Sequence, residues 1–530
     1  MPSPRRRLPV GVDVVLAVVL AVVLAVVLAV VTACSGGIDG TGYRLGSGVP
    51  GTPVPAPIQY VDCTSQLLSL GIQVPATLRD EIRFGCAHLQ VPLDYTRPQG
   101  QTITLALVKV HDIDDHNAPV QSMLVNPGGP GASGVELALG ILGKLSPQVL
   151  QHYDLIGFDP RGVAESGALR CLSDQEKDRL SAASPDLTTR AGVMQSAALS
   201  RQYAQACARA IGPSLRYYNT VNTARDMDQI RQAVGDNVMN YLGFSYGTEL
   251  GWTYAHLFPK QVHTFVLDGA VDPKSRNVQD PQTQLKGFES AYGQFAAWCR
   301  TAQTCAQLGD PTRAAVALLS SARSKPLSTS LGGRTLTESL ASTGIAEAMY
   351  SRSEWPTLGD ALVAARRGDG TELLHLADRY NQRQADGHYS NLIDANSVIS
   401  CNDAPLHKPP STAHVVATAK SWAKKYPIFG ADMAGSLLGC AGWQPHRAPI
   451  PSPAAATPKP VLVVGNLHDP ATPYLGAVHL TQALGHARLL SWNGEGHTSY
   501  LSGSNCVDNA VNAYLIRGSL PPVHKVCPAE

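Results

Sequence analysis

Ser245 sits in Gly243-Phe244-Ser245-Tyr246-Gly247, directly behind the apolar run Val238–Leu242. A serine hydroxyl is a poor nucleophile at neutral pH and attacks a carbonyl only beside a base that an acid orients. Small residues two positions either side of a serine let a strand turn sharply into a helix, leaving the hydroxyl exposed above the strand end. Thr248 to Phe258 can continue as that helix until Pro259. The same string arises by chance in glycine-rich chains, so its meaning depends on partners elsewhere.

Two partners follow in the order this chemistry uses on a strand–turn–helix scaffold, acid before histidine. Asp469 lies in Asn466-Leu467-His468-Asp469-Pro470-Ala471-Thr472-Pro473, behind the apolar run Pro460–Gly465. His497 lies in Asn493-Gly494-Glu495-Gly496-His497-Thr498, behind Ala487–Trp492. Alone, Asp469 reads equally as a turn residue before proline, and His497 as one surface histidine among 16. Three members in order, each behind an expected strand, point to a Ser245–His497–Asp469 relay. His468 precedes the acid in the same loop and is poorly placed to bridge it to Ser245. An oxyanion needs donors, and Asn126-Pro127-Gly128-Gly129-Pro130-Gly131 follows another expected strand. The Gly129 and Tyr246 amides are the expected pair, and losing one such donor typically costs about 3 kcal/mol of transition-state stabilisation. A phosphate cradle is disfavoured, because neither G-K-[ST] nor G-x-G-x-x-G spacing is present here.

The elements that must position these groups alternate. Thr102–Val110, Val120–Val125, Tyr153–Phe158, Met239–Leu242 and Thr264–Leu267 read as strands between helical stretches. That rhythm implies an α/β fold with a mostly parallel central sheet covered on both faces. From Pro273 to about Ala448 the pattern is helical, in stretches such as Phe288–Ala302, Thr312–Ser324 and Thr357–Tyr380, with no convincing buried strand. Strand character then returns, so a large helical cap inserted before the last strands is expected. The expected boundaries are 1–34 for an export signal, 35–59 for a Pro/Gly-rich tether, 60–272 for the first part of the core, 273–448 for the cap and 449–530 for the remaining core.

The 530 residues are too many for one ordinary core. Hydrophobic residues make up 44% and charged ones 16%, and the net charge of +1 gives no electrostatic reason to expect nucleic acid. Arg5-Arg6-Arg7 precedes the apolar run Val14–Val31, and Val31-Thr32-Ala33-Cys34 has the form of a lipoprotein cleavage site, making Cys34 a lipidation candidate. A retained membrane anchor and plain secretion are the alternatives, and all three export the chain. Setting Cys34 aside leaves ten of the 11 cysteines. Proximity in sequence suggests the pairs Cys63–Cys86, Cys171–Cys207, Cys299–Cys305, Cys401–Cys440 and Cys506–Cys527, as suits an oxidising compartment. Metal-ligand spacing is lacking among them, so no metal or other cofactor is expected.

Gly128-Gly129-Pro130-Gly131, Asp159-Pro160-Arg161-Gly162, Gly-Phe-Ser-Tyr-Gly-Thr from residue 243 and the C-terminal His-Asp-Pro-Ala-Thr-Pro and Gly-His segments together resemble the tripeptidyl aminopeptidases of the α/β-hydrolase fold. These are actinobacterial relatives of the prolyl aminopeptidases and include mycobacterial cell-envelope serine proteases. The resemblance spans roughly residues 60 to 527. It implies an exopeptidase that removes short peptides, often tripeptides, from free amino termini beneath a helical cap. Two departures stand out. Ala164 replaces a glycine of many relatives, a change expected to be harmless. Asn126-Pro127 stands where prolyl aminopeptidases carry a histidine, so prolyl specificity does not carry over.

An aminopeptidase must hold an α-ammonium group, which calls for a carboxylate in a partly desolvated pocket. Ser400-Cys401-Asn402-Asp403 resembles a segment of these relatives, making Asp403 one candidate and Glu249, beside the elbow, another. A capping or salt-bridged role is the plain alternative for Asp403. Thr472 either steadies the Asp469 loop or touches substrate. The reading is a serine peptidase outside the cytoplasm, tethered to the membrane or secreted into the envelope, acting on a peptide or protein N-terminus. A carboxylesterase, lipase or protein-directed endopeptidase would use the same relay, and a silent binding protein is the alternative of a different class.

Overall fold

The computed structural model describes residues 52–530 apart from 75, 113–120, 275–280, 406–408, 445–447 and 454–455. The expected signal 1–34 with Cys34, and the tether up to residue 51, lie outside the described residues. The strands are β1 Val61–Asp62, β2 Ile82–Pro92, β3 Thr102–Asp112, β4 Gln121–Asn126, β5 Tyr153–Phe158, β6 Met239–Phe244, β7 Val262–Asp268, β8 Leu327–Ser328, β9 Thr335–Leu336, β10 Val461–His468, β11 Ala487–Glu495 and β12 Val526–Cys527. Ten of them form one sheet in the order β1-β2-β3-β5-β4-β6-β7-β10-β11-β12. From β5 to β12 every pairing is parallel, while β1, β2 and β3 are antiparallel additions at one edge.

Parallel strands covered on both faces must be apolar at successive positions, and β10 shows why the run Val461–Val464 is unbroken. Val461 and Val463 enter one core with Tyr241, Leu250 and Tyr254, whereas Leu462 and Val464 enter the other with Met123, Val125 and Leu242. Between β7 and β10 the described chain is chiefly helical. Helices Pro281–Cys299, Pro311–Ser324, Glu338–Met349, Trp355–Arg366 and Thr371–Tyr380 close around a third core of Leu285, Phe288, Phe295, Trp355 and Leu373. Ala471 of the Asp469 loop packs into that same core.

Three local features differ from the sequence expectation. The stretch Thr357–Tyr380 is two helices, because Gly368 adopts φ 96° and breaks the run between Arg366 and Thr371. The long strand β2, with its polar alternation Arg83, His88 and Gln90, pairs antiparallel with β3 at the sheet edge and was not anticipated. The two-residue strands β8 and β9 form a small hairpin inside the helical segment. Ala164 also proves less innocuous than expected. It adopts φ 41°, a region that costs a residue bearing Cβ roughly 1–2 kcal/mol.

All five disulfides join the pairs suggested by proximity. The Asp159-Pro160-Arg161-Gly162 segment acts as a lock. Arg161 is fully buried and meets Asp226 at 2.7 and 2.5 Å, while its remaining donors reach the carbonyls of Pro92, Leu93 and Tyr217. Tyr95 donates to the same carboxylate at 2.7 Å. A buried pair is costly to assemble, but removing one member strands an uncompensated charge. Asp226→Ala is therefore expected to destabilise the protein by about 3–5 kcal/mol, read as a lowered urea midpoint with the disulfides intact.

Candidate active site

Ser245 joins β6 to helix Tyr246–Leu257 at φ 56° and ψ −125°, a conformation that costs a non-glycine residue roughly 1–3 kcal/mol. Two hydrogen bonds account for its persistence. The Ser245 amide donates to the Asp268 carbonyl at 2.9 Å, and the Thr248 hydroxyl donates to the Ser245 carbonyl at 2.7 Å. The turn also closes so tightly that a Cβ at Gly243 would stand 2.5 Å from the Gly247 carbonyl oxygen. One at Gly247 would stand 2.8 Å from the Asn126 carbonyl oxygen. Glycine two positions either side of the serine is thus a steric requirement.

Asp469 follows β10 and is 2% exposed. Its carboxylate accepts from the amides of Ala471, Thr472 and Thr498 at 2.8–3.0 Å, and from the Thr472 hydroxyl at 3.1 Å. Both oxygens face Nδ1 of His497, at 2.9 and 3.0 Å. With Nδ1 so held, Nε2 is the nitrogen turned away from the acid and available to a hydroxyl. His497 follows β11; its amide donates to the Tyr350 carbonyl at 2.8 Å, and the Tyr350 ring meets the imidazole edge-on at 5.4 Å. Gly269 brings elbow and imidazole together. It follows Asp268, whose carbonyl holds the Ser245 amide, and a Cβ on it would lie 3.3 Å from Cε1 of His497. His468 points elsewhere, with Nε2 3.1 Å from Oδ1 of Asn493.

Burial alone would depress the His497 imidazole, but the charge and hydrogen bond of Asp469, aided by Asp268, outweigh it and raise its pKa above the usual 6.5. Asp268 itself closes β7, is fully buried, and accepts from the Ser499 and Tyr500 amides. Burial, opposed by those amides and reinforced by Asp469, pushes it up to about 7.

The glycine turn after β4 crosses directly over the elbow. Gly128, Gly129 and Gly131 adopt φ 96°, 107° and 101°. A Cβ at Gly128 would sit 2.6 Å from the Phe244 carbonyl oxygen and 2.9 Å from the Tyr246 nitrogen. Tyr246 opens its helix, so its amide is one that no helical carbonyl can take up. Helix Leu392–Asp403 backs the turn, since a Cβ at Gly131 would meet Ala395 Cβ and the Leu392 carbonyl at 2.9 Å.

That same helix ends in Asp403, which the Cys401–Cys440 bridge adjoins. Asp403 is buried and accepts from the Thr220 amide at 3.0 Å and its hydroxyl at 2.6 Å; the hydroxyl also bonds the Tyr246 phenol. It therefore serves helix Thr220–Ala233 as a cap. Glu249 is half-buried one turn past Ser245. Burial first, then the Asp403 charge, pushes it up to about 8, and burial pushes Asp403 up to about 7 against its Thr220 bonds. No cation contributes to either shift. The Thr472 hydroxyl engages Asp469 and lies 3.3 Å from Nδ1 of His497.

Sequence reasoning overlooked Asp268, Tyr350 and Thr220. Asp268 carried the same signal as Asp469, an acid at a strand terminus, but no empty role drew attention to it. Tyr350 and Thr220 carried none, since each acts through chain-distant contacts. A fluorophosphonate probe reports whether an imidazole can take the proton of a serine. Labelling of Ser245 is expected to rise with pH, with its midpoint above 6.5 because Asp469 and Asp268 favour the protonated ring.

A family described as TAP-like protein matches residues 426–527, the stretch that holds Asp469 and His497. Serine protease Hip1 of Mycobacterium tuberculosis is 37% identical over 464 residues, covering 83% of this chain and 87% of that protein. Carboxylesterase B of the same species is 39% identical over 495 residues, covering 90% and 91%. Tripeptidyl aminopeptidase of Streptomyces lividans is 30% identical over 452 residues, covering 82% and 81%. With such identity sustained over most of each chain, this protein belongs to the α/β-hydrolase-fold tripeptidyl aminopeptidase family of actinobacteria.

Proposed function

We propose that this chain is a serine peptidase that releases tripeptides or other short peptides from free N-termini through an acyl-enzyme. Ser245 attacks the scissile carbonyl while Nε2 of His497 takes its proton, later returning it to the departing amine. Asp469 orients the imidazole and stabilises its charged form, and the Gly129 and Tyr246 amides receive the oxyanion. Water then repeats the sequence on the acyl-enzyme. The observation that carries the reading is the Asp469–His497 contact of 2.9 Å, beside Gly269, whose neighbour Asp268 at the end of β7 anchors the Ser245 amide.

The aminopeptidase part rests on Glu249 and Asp403. Two half-buried or buried acids without a neighbouring cation form a site short of positive charge, and the α-ammonium of a peptide supplies it. Asp403 is already engaged by Thr220, so Glu249 makes the direct contact and Asp403 reinforces it from behind. Thr472 is given a positioning role on the acid. The five disulfides favour an extracytoplasmic location, with a peptide or protein N-terminus as partner. Lipidation of Cys34 would tether the enzyme to the membrane. The helical segment 273–448 is proposed as the cap over the site.

A second reading, an esterase using the same relay, is favoured by the relative named carboxylesterase B. Ser245→Ala is expected to lower turnover by about 10⁶-fold, and unchanged turnover by the folded variant refutes the nucleophile. A tripeptide anilide with a free amine should outperform its N-acetylated form and a short-chain ester; the reverse order establishes the esterase or endopeptidase. Glu249→Gln should raise KM for the free-amine peptide about 10-fold or more while sparing the blocked one, since it removes one charged contact.

A further inference from the structure

We infer that Asp268 is a positioning residue for the hydrolysis, fixing nucleophile and base relative to each other through one backbone and one side chain. The inference rests on the reading of Ser245 and His497 given above. Its carbonyl holds the Ser245 amide at 2.9 Å. Its carboxylate accepts from the Ser499 amide at 2.9 Å and the Tyr500 amide at 2.7 Å. The amide just before these, that of Thr498, goes to Asp469 at 3.0 Å. Three consecutive amides behind the imidazole are thus claimed by two buried acids.

The loop needs such holding. Thr498 and Leu501 adopt φ 66° and 64°, each a left-handed conformation that a residue with Cβ adopts at a steric cost. Gly496 and Gly503, at φ 100° and 102°, supply the flanking bends. Hydrogen bonds to a carboxylate are stronger than those between neutral groups, and two of them hold this path against its strain. The Ser499 and Tyr500 amides both turn to the Asp268 carboxylate.

Charge acts in the same direction. The groups bearing on His497 are Asp469 from the loop after β10 and Asp268 from the end of β7, with the neutral Tyr350 ring on the third side. Removing the Asp268 charge makes the imidazolium less favourable, so the ring loses its proton at lower pH. The acid limb of kcat/KM then moves downward. A residue that only stabilised the fold would leave that limb in place.

The test compares Asp268→Asn and Asp268→Ser with the parent protein, each checked for an unchanged melting transition. Asn keeps the shape and one acceptor, and Ser keeps a small acceptor, but neither keeps the charge. The readouts are kcat and KM on the free-amine tripeptide anilide, the rate of Ser245 labelling by a fluorophosphonate, and the pH profile. Expected are a kcat lowered about 100-fold, KM within about twofold, slower labelling in proportion, and an acid limb displaced to lower pH. Parental labelling and turnover in either folded variant would overturn the inference, as would a loss confined to KM or an unmoved acid limb. If neither variant folds, Asp268 is a folding requirement and the inference is withdrawn. If the parent protein itself resists the probe, the fault lies with the nucleophile assignment, and both fall.

Discussion

The hydrogen bond from the Ser245 amide to the Asp268 carbonyl is where sheet and chemistry meet. Parallel pairing of β6 with β7 sets Phe244 opposite Asp268, so the strand register itself delivers the elbow to this carbonyl. A one-residue slip would turn every side chain of β6 to the opposite face and break both cores at once. The strained serine is consequently secured by the register of strands whose faces are fully covered. Its neighbours Gly243 and Gly247 then follow as steric necessities, because no side chain fits where the turn folds onto itself.

Around that anchor the protein gathers acidic groups with little cationic compensation. Asp268, Asp469, Asp403 and Glu249 surround the elbow, and three of them have their pKa values raised, chiefly by burial. Their acceptor sites are met largely by backbone amides and by Thr220 or Thr472 hydroxyls. Amide and hydroxyl dipoles let an acid be buried without a partner cation. Elsewhere a buried acid can meet a cation directly, as Asp226 does in Arg161, or be held by a hydroxyl and amides, as Asp159 is by Ser133, Val135 and Glu165.

Much of this arrangement was legible in sequence because its signals are local. The strands ending at Asn126, Phe244, Asp268 and His468 announce themselves as apolar runs closed by polar residues, and each chemical group stands just beyond one. The disulfides were readable because each joins neighbours along the chain, with separations from 6 to 39 residues. What escaped notice depends on tertiary closure. The strand β2 mixes charged and apolar residues because it lies near a sheet edge, so its pattern was faint. The break in Thr357–Tyr380 hung on a single glycine. Thr220 and Asp403 are 183 residues apart, and no local pattern foretells such a pair.

The contact between Tyr350 and the His497 loop carries a kinematic consequence. The Tyr350 carbonyl accepts the His497 amide, Ser351 bridges Gly496 backbone to backbone, and a side chain on Gly496 would collide with Tyr350. The helical layer is therefore fastened backbone to backbone to the segment that carries His497. A shift of that layer at Tyr350 is transmitted directly to the imidazole, whose edge the Tyr350 ring also meets.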